Sequence, residues 1–252
     1  MTMRETQAII ERVRRVSAEL LQLELSVDPG LIEIKPGQSV YAWVLENTTW
    51  TPYLREQWIP VSVRAPHALT VEFVPEHDYA PGQVVSLLSP VGKPIPVREN
   101  SSRVLLIAEN VYPTPFVMLA RQLVNNEKAV TLVLSERALH YPLELLPPEV
   151  EILRRDTDWK WPEQVETLNW ADQVILLAPA MMQATVYGNL FEAIRQLRQH
   201  QIPDGYICGL FYPRLACGTG ACQACQIPGN DHADWLACSD GPALDLKKVA
   251  FA

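Results

Sequence analysis

Apolar and polar residues alternate with a period near two through "QAIIERVRRV" (7–16), "LLQLELSV" (20–27) and "LTVEFV" (69–74), as in strands with one face against a core. Turn-forming triplets punctuate them at Asp28-Pro29-Gly30, Lys35-Pro36-Gly37 and Ala80-Pro81-Gly82. Residues 1–100 are therefore expected to form a small antiparallel β-barrel. From about residue 102 the pattern changes. "RVLLIA" (103–108), "AVTLVL" (129–134), "VEILRR" (150–155), "QVILLA" (173–178) and "GYICGLF" (205–211) are short, largely apolar runs, as in strands buried on both faces. Between them Phe116, Leu119, Ala120 and Leu123 recur at helical spacing, with Thr114 as the expected N-cap and Pro115 in the first turn. A second helical stretch runs from Met181 to His200. Strands alternating with helices predict a doubly wound parallel α/β sheet over residues 101–211. Residues 212–252, rich in cysteine and glycine, read as a third, small module, so the fold class is β plus α/β.

Composition narrows the function classes. A chain of 252 residues, 48% hydrophobic and 20% charged, can build ordinary cores without stapling. The net charge of −8 argues against a nucleic-acid binder and is compatible with docking a basic protein surface. There is no apolar run of about 18 residues, so no membrane span is expected. The charged start, "MTMRETQAIIERVRR", has no apolar secretion core, which points to the cytoplasm.

Four of the five cysteines crowd the C-terminus with the spacing Cys217-x4-Cys222-x2-Cys225-x12-Cys238. An odd number of clustered cysteines is a poor disulfide framework. The first three reproduce a spacing that holds a 2Fe-2S cluster, with a distant fourth thiolate completing the set. Such a loop must wrap the inorganic core and aim amide N–H groups at sulfur, which Gly218 and Gly220 permit through positive φ. A four-cysteine zinc site is the alternative, although zinc knuckles usually pair their cysteines in two short arms. Cys208, inside an apolar run, reads as a core thiol.

"ACGTGACQAC" (216–225) and "CSDGPALDL" (238–246) resemble the iron–sulfur module of the electron-transfer subunits of two-component dihydroorotate dehydrogenases, a branch of the ferredoxin-reductase-like flavoproteins. The resemblance implies a flavin-binding barrel, a nucleotide-binding domain and a 2Fe-2S cluster on Cys217, Cys222, Cys225 and Cys238. It also implies a protein partner in a redox complex, a flavin or iron–sulfur subunit. Carried over residue by residue, it makes Pro60, Val61, Ser62 and Gly92 the candidate FAD contacts. The chain departs from the family here: Ile59 stands where the family has its pyrophosphate arginine, and "VEFVPEHDYAPGQ" lacks the flavin-wrapping turn.

NAD(P) binding is not expected. The loop after the first α/β strand, Ala108-Glu109-Asn110-Val111-Tyr112-Pro113-Thr114, has no glycine, and Pro113 has no N–H to offer a phosphate. Leu177-Ala178-Pro179 replaces the family's Cys-Gly-Pro.

His67, His77, His140, His200 and His232 are scattered and read as loop or surface residues. Trp50, Trp159, Trp161 and Trp170 read as packing or interface residues, and Trp58 as a possible neighbour of a flavin. No Ser-His-Asp set, paired acid/base motif or phosphate loop occurs, so any chemistry rests on a cofactor. The chain therefore reads as an electron-transfer subunit. The alternatives are a complete NAD(P)H-dependent FAD/2Fe-2S reductase, or a structural or assembly subunit with a four-cysteine metal site.

Overall fold

The computed structural model describes residues 3–44, 54–155, 161, 163–198, 201–230 and 234–251. His200, His232, Trp50 and Trp159 lie outside these residues. The N-terminal part is a closed six-stranded barrel of β1 (Arg4–Arg15), β2 (Leu21–Ser26), β3 (Ser39–Val44), β4 (Glu56–Arg64), β5 (Ala68–Phe73) and β6 (Val84–Val91), in the order β1-β2-β5-β4-β3-β6. Its interior is filled by Ile10, Leu23, Leu25, Val40, Trp58, Leu69 and Leu87. Gly37 and Gly82 take the positive φ of the expected turns, and Asp28 Oδ1 accepts from the Gly30 N–H at 2.8 Å. The alternating pattern reveals β1, β2 and β5. It hides β3, because Ser39 to Ala42 are buried on both faces of the barrel wall.

The second part is a six-stranded sheet in the order β14-β11-β10-β7-β8-β9. Its strands are β7 (Arg103–Ala108), β8 (Ala129–Leu134), β9 (Glu151–Arg154), β10 (Gln173–Leu177), β11 (Ile207–Leu210) and β14 (Ala243–Asp245). Helix α1 (Thr114–Asn125) covers one face through Phe116, Leu119 and Leu123. Helices α2 (Gln164–Trp170) and α3 (Gln183–Leu197) cover the other through Leu168, Tyr187, Leu190 and Ile194. Alternate residues of β7 divide between the two cores, Leu105 and Ile107 to one and Val104 and Leu106 to the other, as double winding requires.

Three expectations change. Thr114 does not cap α1: Pro113 occupies the cap position without a side-chain bond, and the Thr114 hydroxyl donates instead to Glu72 at 3.1 Å. The long helix begins at Gln183, after a short 3₁₀ turn over Ala180–Met182. The C-terminal residues are not wholly separate, since β14 pairs antiparallel with β11 and closes the edge of the sheet. The cysteine segment is thus an excursion between two neighbouring strands, and it contributes a short ribbon of β12 (Gln226–Ile227) and β13 (Trp235–Leu236).

Barrel and sheet meet at Glu72. Its fully buried carboxylate accepts from Gln22 Nε2 (2.8 Å), Tyr141 OH (2.9 Å) and Thr114 Oγ1 (3.1 Å). Burial pushes its pKa up against these three donors. The stabilising contribution of a group raised in the folded state is present below its unfolded value of about 4.3 and is lost as pH rises through the folded value. Glu72→Gln removes that loss. The thermal midpoint of the variant minus that of the wild type is expected to become more positive from acid to neutral pH; a pH-independent difference would contradict it.

Candidate metal centre and cofactor clefts

The x12 gap between Cys225 and Cys238 is folded back on itself. The β12–β13 ribbon, with Ala237 N–H donating to Cys225 O at 3.0 Å, brings the two buried sulfurs to 3.3 Å. On the other arm Cys217 Sγ accepts from the backbone N–H of Thr219 (3.4 Å) and Cys222 (3.5 Å). Gly218 and Gly220 adopt φ of +69° and +81°, which turns these amides inward. The loop rests on β6, where Gly218 faces Val91 and Leu88.

The four thiols differ in setting. Cys225 and Cys238 are buried, Cys217 is half-buried and Cys222 is exposed. Hydrogen bonding, led by Thr219, holds the Cys217 thiol down at about 6, whereas burial and then Cys225 push Cys238 up to about 12. Two adjacent thiols in an apolar wall resist joint ionisation, and a bound cation relieves that repulsion. A close pair of buried sulfurs, with amides aimed at the Cys217 sulfur on the neighbouring arm, is donor chemistry that fits an iron–sulfur centre. Cys208 stands apart in β11, fully buried, with burial raising its thiol to about 12 and Gly205 O accepting from it at 3.7 Å.

The segment after the last cysteine fastens the module to the barrel. Asp240 Oδ2 accepts from Leu236 N–H at 3.0 Å, while Asp240 Oδ1 pairs with Lys93 at 3.3 Å. Gly92 N–H donates to Cys238 O at 3.0 Å, and Lys93 N–H donates to Gly241 O at 2.6 Å. A Cβ on Gly241 would lie 2.9 Å from Ala237 O. A second seam joins the β5–β6 loop to the chain entering the module. Arg214 pairs with Glu76 at 3.1 Å, beside His77 and Glu56, which lie 3.7 Å apart. These acids and the histidine carried no spacing signal in the sequence.

The candidate flavin residues are divided. Pro60, Val61 and Ser62 sit together on β4, at a register shift against β5. The Val61 carbonyl accepts from Arg121 Nη1 at 2.7 Å, and Ser62 lines a groove beside Arg121. Gly92 lies elsewhere, against the cysteine module. Trp58 faces the barrel interior, stacked on Phe73 with ring centroids 4.7 Å apart.

A cleft of about 230 Å³ opens between barrel and sheet, walled by Ile59, Phe73, Pro115, Pro179 and Tyr212. These walls suit a planar apolar ring; among the described residues no Lys or Arg lines the cleft itself, whose one carboxylate is Glu72. The adjoining space, which shares Gln57, Phe73 and Tyr212, is lined by Arg55 and Arg214. At the carboxyl end of β7, where sheets of this class bind nucleotides, Glu109 is buried and ion-paired with Arg155 and accepts from Ser135 Oγ at 2.6 Å.

Comparison with known proteins bears on the cysteine segment and on the fold. Residues 213–250 match the iron–sulfur cluster binding domain of dihydroorotate dehydrogenase B. The chain is 24% identical over 181 residues to the electron transfer subunit of dihydroorotate dehydrogenase B (NAD(+)) of Geobacillus sp. strain WCH70, covering 68% of this chain and 67% of that protein. It is 26% identical over 179 residues to the corresponding subunit of Bacillus caldolyticus, with the same coverage. Among solved structures, an NADH-dependent reduced ferredoxin–NADP oxidoreductase superposes with a TM-score of 0.74 at 17% identity, over 96% of this chain and 89% of that one. Phthalate dioxygenase reductase, described as a modular structure for electron transfer from pyridine nucleotides to [2Fe-2S], superposes with a TM-score of 0.59 at 13% identity, over 97% and 77%. The fold is ferredoxin-reductase-like.

Gly92→Ala would place a Cβ at positive φ, 3.1 Å from Gly241 O. The expected cost is about 1–3 kcal/mol, read as a lower urea midpoint together with faster loss of bound metal. Unchanged metal retention would show that the clamp does not support the module.

Proposed function

We propose that this chain, a relative of the electron transfer subunits of dihydroorotate dehydrogenase B that carries their iron–sulfur cluster binding domain, is an electron-transfer subunit of a multisubunit oxidoreductase. Cys217, Cys222, Cys225 and Cys238 hold a 2Fe-2S cluster. The observation that carries the reading is the buried Cys225–Cys238 pair, with sulfurs 3.3 Å apart, beside a cysteine loop whose backbone amides point at the Cys217 sulfur. A cluster of this kind passes one electron at a time. The protein supplies the ligands, buries the Cys225–Cys238 side against the barrel and leaves the Cys217–Cys222 side open. That open edge is where a protein partner, a flavin or iron–sulfur subunit, would exchange electrons.

The buried Glu109–Arg155 pair at the carboxyl end of β7 supports a subunit fed by its partner rather than by NAD(P)H. Among the described residues no helix is long and apolar enough to cross a membrane. A reducing cytoplasm suits free thiols that must ligate iron. The apolar cleft between Ile59 and Pro179 favours one second reading, a subunit that retains a flavin and works as a self-contained reductase.

Anaerobically purified protein is expected to contain about two iron and two sulfide per chain and to show visible absorption that dithionite bleaches. A colourless protein with about one zinc per chain would overturn the proposal in favour of a structural metal site. Cys225→Ser and Cys238→Ser are expected to lose most of the iron, whereas Cys208→Ala keeps it. NADH alone is expected to leave the cluster oxidised. Its reduction by NADH, with flavin released on heating, would establish the reductase reading.

A further inference from the structure

Tyr41 lies on β3 between two residues, Val40 and Ala42, that face the barrel interior. Its own ring points the other way, into the apolar group that includes Val91, Leu215, Cys225, Ala237 and Cys238. The residue is 2% exposed, and among the described residues its hydroxyl has no hydrogen-bond partner. A buried hydroxyl without an acceptor costs about 1–3 kcal/mol, so an apolar wall alone would favour phenylalanine here. Two neighbouring tyrosines show the ordinary solution: the half-buried Tyr212 donates its OH to Gly37 O at 3.3 Å, and the buried Tyr187 donates its OH to Leu210 O at 2.6 Å. Tyr41 lies opposite Leu88 on β6, and Leu88 packs against Gly218 of the cysteine loop. A phenol is protonated at neutral pH, so its oxygen has a proton to donate.

We propose that the Tyr41 hydroxyl donates a hydrogen bond to a sulfur of the bound centre on its buried Cys225–Cys238 side. Tyr41 is then a positioning and tuning residue. The missing acceptor is supplied only when the cluster is loaded. A donor to sulfur stabilises the added negative charge of the reduced state and so raises the potential. The inference rests on the assignment of the four cysteines as cluster ligands.

The test is the midpoint potential of the loaded full-length protein, followed by optical and EPR titration. Tyr41→Phe is expected to keep its iron and to shift the reduction equilibrium about ten-fold toward the oxidised cluster, the size of one hydrogen bond to a charged group. Tyr187→Phe, whose hydroxyl is committed to the Leu210 carbonyl, is expected to leave the potential where it was. A loaded Tyr41→Phe protein with unchanged potential would overturn the proposal, as would an equal shift in both variants. If Tyr41→Phe does not take up iron, wild-type protein grown with 3-fluorotyrosine replaces it. The more acidic phenol should move the potential upward, and no movement would overturn the proposal. A wild type without iron would instead overturn the ligand assignment itself, so the two failures are distinguishable.

Discussion

The architecture depends on bringing a thiol 13 residues along the chain back to within 3.3 Å of its partner while both are out of water. Adjacent buried thiols repel as they ionise, so the site is held by backbone bonds rather than by attraction between its ligands. The ribbon over Gln226–Ile227 and Trp235–Leu236 closes the gap, and the Gly92–Lys93 clamp presses the result against the barrel. The close approaches at Gly92 and Gly241 follow from that requirement. A side chain at either position would separate two backbones that must share hydrogen bonds.

Elsewhere the fold keeps its shape while its polar interior serves a different purpose. Glu109 and Arg155 neutralise each other beside Ser135 at the end of the sheet where a phosphate-binding loop would need open amides. Glu72 gathers three donors from the barrel, α1 and the segment after β8, and so joins the two parts at a buried acid. In the second network both carboxylate oxygens of Glu72 are met by donors. A buried pair broken on one side leaves an uncompensated charge, so such networks resist piecemeal change.

Much of this was legible in the residues. The 4-2-12 cysteine spacing, the two helical stretches and the change from alternating to continuous apolar runs near residue 102 all correspond to real elements. What stayed hidden depends on partners distant in sequence. β3 has no alternation, because the cysteine module covers its outer face. Thr114 has the chemistry of a cap, but a buried carboxylate from another domain takes its hydroxyl. Gly92 resembles a flavin-loop glycine, yet its positive φ serves a contact with residues 238 and 241. Helix α2 is only seven residues long and buries just Leu168, too little for a periodic signal.

The return of β14 to the sheet bears on how the chain keeps apart from its own copies. The cysteine excursion is spliced between β11 and β14, and the chain leaving it becomes the strand that seals the sheet's edge. An unsealed β11 presents free backbone donors and acceptors, the template for misassociation between chains. With β14 in place the outermost strand on that side is only Ala243–Asp245, and so short an edge offers little template to another chain.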